Sequence, residues 1–182
     1  MRFISVVAAV SAAIGVTFDF GLAHSAEPPP NWVWINAPES GFSANFPGQP
    51  KVDRGTHVDG TNTYKYTRYT VVAASTAMAV DYSVYDNPAT KIDLEKVMTG
   101  FADATKGKVT AQWETSFKRN FGAPLPMLEY TVQSGDMMCR AGAIADGAAV
   151  YQVIGCANKS TTMPAAIEQM LKSFTLTPRI QS

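Results

Sequence analysis

The sequence predicts an α+β fold, in which an antiparallel β-sheet of about six to eight strands carries two main amphipathic helices. Segments rich in β-branched and aromatic residues recur along the chain, separated by short turns that contain Gly, Pro or Asn. Strands joined by such short turns pair antiparallel. Two other segments change to the helical spacing of apolar residues, and each must bury one face on the sheet.

The first 26 residues are typical of a secretory signal peptide. Met1-Arg2 gives a positive start, residues 3–16 are largely apolar, and small residues follow up to Ala26. The apolar run is shorter than the roughly 20 residues that a membrane-spanning helix needs. We expect cleavage after Ser25 or Ala26, which leaves residues 27–182 as one periplasmic or secreted domain without a membrane anchor.

The charge of the chain is balanced, with 15 basic and 15 acidic residues among 182. A balanced charge provides no field that would attract nucleic acid or an anionic membrane. The composition therefore predicts no nucleic-acid partner.

The first half of the chain reads as a series of strands. Trp32 and Trp34 begin the first strand on one face, and residues 42–46 form the second strand, with Phe42, Ala44 and Phe46 inward. Further strands are predicted at residues 51–58, 63–72 and 77–85.

A helix is predicted from Asp93 to Thr105, with Asp93 as its N-cap and Gly107 ending it. Strands follow at residues 109–117 and 127–132, and then a hairpin at residues 137–156. The second helix has Thr162 as its cap and Pro164 just inside its start. Residues 173–177 are a closing extended segment.

The hairpin carries the only two cysteines, Cys139 and Cys156. Export places them in an oxidising compartment, where such a pair usually forms a disulfide. If Ala145 pairs with Val150 across a four-residue loop, the two cysteines are directly opposed and can be joined. If Asp146-Gly147 instead forms a two-residue turn, Ala145 pairs with Ala148 and the cysteines are diagonal neighbours at the limit of reach. We expect the bond; the alternative is a pair of buried thiols.

Two stretches resemble a known group of proteins. They are Gly41-Phe42-Ser43-Ala44-Asn45-Phe46-Pro47-Gly48-Gln49-Pro50 and the ending, in which Val150-Tyr151-Gln152-Val153 precedes a helix opened by Pro164 and then Leu171-Lys172-Ser173-Phe174-Thr175-Leu176. Together they are similar to small exported bacterial domains of the PsbP-like (Mog-type) αβα sandwich group. The resemblance implies that fold and an accessory or assembly role; it matches no functional residue of the group to a position here.

Catalytic and metal sites have little support in the sequence. His57 lies among Asp53, Arg54 and Asp59, where an acid–base pair is conceivable but a solvated strand end is the simpler interpretation. One histidine in the domain does not supply a typical zinc site, and we expect no cofactor. Tyr64, Tyr66 and Tyr69 lie among Lys65 and Arg68 and could stack on bases or sugars, but they also suit an ordinary strand.

Three hypotheses for the function follow. The first is a non-enzymatic accessory domain that binds an unknown protein partner in the cell envelope. Its surface would include the sheet edge near Lys51–His57 or the aromatic segment with Trp32 and Trp34. These two tryptophans either cover an edge of the core, which is the default expectation, or form an exposed anchor for the partner. The second is a binder of small hydrophobic ligands, with a cavity between sheet and helix. That cavity would be lined by Met98, Phe101, Tyr82 and Trp113. The third is an enzyme that uses His57.

Overall fold

The computed structural model describes residues 32–59, 62–73, 76–158 and 164–179. The predicted signal peptide and Thr162 lie outside these residues. The described elements, in chain order, are β1 (Val33–Ala37), β2 (Phe42–Phe46), β3 (Lys51–Asp59), β4 (Asn62–Ala73), β5 (Thr76–Tyr85), α1 (Leu94–Ala104), β6 (Lys108–Phe117), β7 (Leu125–Ser134), β8 (Met137–Asp146), β9 (Ala149–Asn158), α2 (Ala165–Ser173) and β10 (Thr175–Leu176).

The predicted α+β class is wrong, because the protein is mostly β. Ten strands form two antiparallel sheets among the described residues, and the two helices have only 11 and 9 residues. The large sheet has the order β3-β4-β5-β9-β8-β7-β6, and the small sheet has the order β1-β2-β10. A single sheet between two helical layers, as an αβα sandwich requires, is therefore not what this chain forms.

The small sheet is the physical reason for the difference. Alternation of apolar residues identifies β1 and β2 as strands, but it does not say which sheet they join. Phe42, Ala44 and Phe46 are fully buried, as predicted. They are buried in one cluster with Tyr69 and Phe174, and the Phe42 ring contacts both of these rings. The strand that carries them, β2, does not join the large sheet. Strands β1, β2 and β10 thus occupy part of the layer that the prediction assigned to a helix.

The large sheet has an apolar cluster on each face. The small sheet and α2 cover its first face, where Val80, Tyr151 and Ile167 are buried in one cluster. Helix α1 covers the second face over β6, β7 and β8. There Phe101, Tyr130 and Ile154 belong to the other cluster. The described part is therefore layered, with the large sheet in the middle.

The caps of α1 follow the prediction at its start and differ at its end. The Asp93 side chain accepts a hydrogen bond from the Lys96 backbone N–H at 3.2 Å, as an N-cap should. The left-handed residue after the helix is Lys106, with φ 51°, and not Gly107. A Cβ at Gly107 would collide with Val132, so this glycine is needed for the close approach of the chain to β7.

Helix α2 begins two residues later than the predicted cap at Thr162 implies. Pro164 occupies the cap position, with ψ 138°, and Ala165 is the first helical residue. Proline supplies no side-chain cap, so packing of Ile167 and Met170 in the first cluster holds the helix on the sheet. Gly155 of β9 permits this contact, because a Cβ there would overlap the Ile167 side chain.

Candidate functional site

The candidate site is an open groove on the first face of the large sheet, between α2 and the strands β6 to β8. We call it the α2 groove. It has a volume of about 170 Å³. Its apolar lining consists of Phe117, Met127, Ile144, Val153, Leu171 and Phe174, together with Gly142; its polar lining includes Glu129, Arg140, Glu168 and Lys172.

The strand register explains the floor of the groove. Gly142 of β8 lies between Glu129 of β7 and Val153 of β9, directly opposite both. A Cβ at Gly142 would collide with the end of the Met127 side chain. The absence of a side chain at this one position therefore lets Met127 lie across the sheet and leaves a shallow apolar depression beside α2.

Arg140 forms the polar rim. Its guanidinium donates to Glu129 at 3.2 Å and to Glu168 of α2 through its other amino group. Burial acts to lower the pKa of Arg140, but the two carboxylates outweigh it and raise the pKa. The two ion pairs are part-buried and connect α2 to β7 and β8 through one guanidinium.

The size of the groove limits its chemistry. Pockets for drug-sized ligands enclose about 300–1,000 Å³, whereas this groove has about 170 Å³. An apolar floor with a charged rim and this volume suits one or two apolar side chains of another chain. It is the form of pocket that receives anchor residues at protein interfaces.

The predicted disulfide is present between Cys139 and Cys156. Ala145 pairs with Val150, which is the register that places the cysteines directly opposite each other. The turn nevertheless has only two residues, because Asp146 pairs with Ala149 and the loop is Gly147-Ala148. Gly147 has φ 64°, the conformation that the first position of a type II′ turn requires. The bond indicates an oxidising, extracytoplasmic environment.

The two predicted tryptophans do not share one environment. Trp32 precedes β1 and packs partly buried against the first cluster. Trp34 lies within β1 and is 55% exposed. Of these two residues, Trp34 is thus the one available as an exposed aromatic anchor.

His57 lies on β3, which is an edge strand of the large sheet as the partner-surface hypothesis assumed. The histidine is exposed, and its ring lies 5.1 Å from the ring of Tyr64. Asp53 of the same strand accepts a hydrogen bond from Tyr66 at 3.4 Å. This placement gives His57 no enclosed cleft in which a substrate could be held.

The structure does not bring the predicted ligand-cavity residues together. Met98 and Phe101 lie in the α1 cluster on the second face, and Tyr82 lies in the cluster on the first face. Trp113 is on the edge strand β6 and 42% exposed. The sheet itself separates these side chains, so they line no common cavity.

A row of polar residues crosses the second face. Asp53, Arg68, Asp81 and Gln152 are directly opposed on β3, β4, β5 and β9. Arg68 donates to Oδ1 of Asp81 at 2.7 Å, while Asp81 Oδ2 is buried without a hydrogen-bond partner. Desolvation raises the pKa of Asp81, although Arg68 acts to lower it. The row continues to Tyr130, whose hydroxyl accepts from Gln152 at 2.8 Å.

Sequence reasoning missed the α2 groove. Glu129 and Arg140 lie 11 positions apart on neighbouring strands, but Glu168 lies 28 positions beyond Arg140, and only the docking of α2 brings it to them. The one local signal was Gly142, a glycine inside an otherwise regular strand, which often marks a close approach of another group.

Within the described ranges, no group of three or more His, Cys, Asp or Glu side chains is placed to hold a metal ion. No helix in the same ranges is long and apolar enough to cross a membrane. The sequence matches no protein-family model, and no curated protein is significantly similar to it.

Proposed function

We propose that this protein is an exported, non-enzymatic domain that binds a partner protein, with the α2 groove receiving apolar side chains of that partner. The observation that carries the proposal is the groove itself: an apolar floor of Met127, Gly142 and Ile144, open to solvent and framed by charged side chains. Such pockets account for most of the binding energy at many interfaces.

The location of the protein supports the same proposal. The signal-peptide pattern of residues 1–26 and the Cys139–Cys156 disulfide agree with export to the periplasm or the outside of the cell. The partner is therefore expected among envelope or secreted proteins. The groove is smaller than a typical ligand pocket, which favours a protein side chain over the alternative of a small hydrophobic ligand.

The test is capture of proteins from an envelope extract by the exported protein and by two variants. Leu171→Glu places a charge in the wall of the groove, and Val58→Glu places the same charge on the exposed β3 edge as a control. We expect the wild-type protein and Val58→Glu to capture one partner that Leu171→Glu does not. Thermal unfolding of each variant checks that α2 remains docked.

Three results would contradict the proposal. Capture that Leu171→Glu leaves unchanged would place the contact surface elsewhere. A small molecule that co-purifies with the wild-type protein and is lost from Leu171→Glu would instead support the ligand-binding alternative. Loss of capture only in Val58→Glu would assign the partner surface to the β3 edge.

A further inference from the structure

The two edges of the large sheet are protected to different degrees. Natural proteins guard exposed edge strands with charged residues and irregular backbone. Strand β3 carries the charged residues Lys51, Asp53 and Arg54, and its pairing with β4 is regular. Strand β6 has ten residues and only two charges, Lys108 and Glu114, and its one irregularity lies near its start. By its charge, β6 is therefore the edge more able to accept another strand.

The backbone of β6 is regular over most of its length. Its pairing with β7 shifts once, between Val109 and Ala111, and then keeps a constant register to Phe117. In an edge strand, the N–H and C=O groups of alternate residues point away from the sheet and have no strand to pair with. No strand lies beyond β6 in the part of the chain that the structure describes.

Trp113 lies at the middle of this regular stretch. It is opposite Glu129 of β7 and remains 42% exposed. Ala111 and Thr115, on the same side of the strand, are also exposed. Exposure of an aromatic side chain to water at a sheet edge is unfavourable. The same side chain, flanked by small residues, can form favourable cross-strand contacts with another strand.

We propose that β6 pairs antiparallel with β6 of a second copy of this chain, so that the two large sheets become one continuous sheet. An antiparallel strand edge is complementary to itself about a two-fold axis, which is the commonest symmetry of homo-oligomers. The formal net charge is zero, so no long-range repulsion opposes the approach of two copies. The pairing uses the backbone edge of β6, which borders the α2 groove, because Trp113 is opposite Glu129 and Phe117 lines the groove.

The register follows from the side chains. Directly opposed residues must project to the same face, so the two-fold axis passes through one residue of β6. An axis at Glu114 would oppose two like charges. An axis at Trp113 opposes the two tryptophans, Ala111 to Thr115, Gln112 to Glu114 and Val109 to Phe117, so the two copies of Glu114 do not face each other. We therefore expect this register.

The test is sedimentation equilibrium of the full exported protein over a wide concentration range. One strand pair gives a small interface, below about 1,200 Å², so we expect a weak dimer whose average mass rises toward twice the monomer mass. Trp113→Lys places two like charges on the axis and should raise the dissociation constant about tenfold or more. Ala111→Lys is a second variant, in which lysine again replaces an exposed, uncharged residue of β6. Val58→Lys makes the same change on β3 and is the matched control.

Hydrogen exchange identifies the strand. At high concentration, amides of β6 in the wild-type protein should exchange more slowly than at low concentration, and those of β3 should not change. A wild-type protein that stays monomeric would overturn the proposal. So would a dimer that both β6 variants leave intact, or one that only Val58→Lys disrupts. Loss of partner capture in Leu171→Glu without a change in dimerisation would separate this inference from the proposed function.

Discussion

Removal of the Cys139–Cys156 bond should lower the free energy of unfolding by about 3 kcal/mol. The cysteines are 17 positions apart, so the bond closes a loop of 18 residues when both ends are counted. In the chain-entropy model, a loop of this length restricts the unfolded state by about 3 kcal/mol at 25 °C. The double variant Cys139→Ala/Cys156→Ala removes the restriction and replaces buried sulfur with a small apolar side chain.

Equilibrium unfolding in urea measures this difference. For a slope of about 2 kcal/mol per M, a loss of 3 kcal/mol moves the midpoint down by about 1.5 M urea. The single variants Cys139→Ala and Cys156→Ala also lose the bond. If the crosslink dominates, each single variant should be destabilised nearly as much as the double variant, because the bond can be lost only once.

Two results would refute this reasoning. A loss below about 1 kcal/mol in the double variant would mean that the unfolded chain keeps the β8–β9 hairpin together without the bond. Additive losses in the two single variants would mean that sulfur packing, and not loop closure, carries the stabilisation. Alkylation of the unfolded, unreduced wild-type protein provides the control, since a bonded pair takes up no label.

Three further predictions concern the two faces of the sheet. Gly155→Ala places a methyl group against Ile167 and should destabilise the protein by about 1–3 kcal/mol, measured by the urea midpoint; unchanged stability would show that α2 can shift away from β9. Burial raises the pKa of Asp81, so its contribution to stability falls as pH rises from the unfolded value of 3.8 toward the folded value. Asp81→Asn cannot titrate and should therefore gain stability relative to wild type as pH rises through that window. The reasoning is wrong if the urea midpoint of the variant, measured relative to that of wild type, stays constant or falls across the window. Tyr130→Phe leaves the buried amide of Gln152 without its acceptor and should cost about 1–3 kcal/mol in thermal or urea unfolding, whereas a neutral effect would indicate that the amide finds another partner.

Local features of the fold were predictable from the sequence, and its class was not. Asp93 caps α1, and Phe42, Ala44 and Phe46 point inward, because cap chemistry and apolar alternation act over a few residues. The separation of β1, β2 and β10 into a second sheet depends on contacts such as Thr175 with Ser43, which lie 132 positions apart. No local pattern encodes such a pairing.

The candidate site was less predictable than the fold. Trp32 and Trp34 were expected to share one face as neighbours in a strand, but β1 begins only at Val33, so Trp32 escapes the alternation and packs on the core. The expected cavity residues were chosen for their apolar character, which does not specify a face. Tyr82 and Phe101 consequently lie on opposite sides of the large sheet.

The sequence by itself determined the cysteine pair, most strands, both helices and the balanced charge. These properties depend on residue type, on periodicity within one element, or on a turn that joins two neighbouring strands. Only the tertiary structure decided the split into two sheets, the exposed β6 edge and the α2 groove. Each of these depends on how segments distant in the sequence meet, as when Arg140 of β8 reaches Glu168 of α2, 28 positions later. The geometry of such meetings is set by the packing of the whole domain.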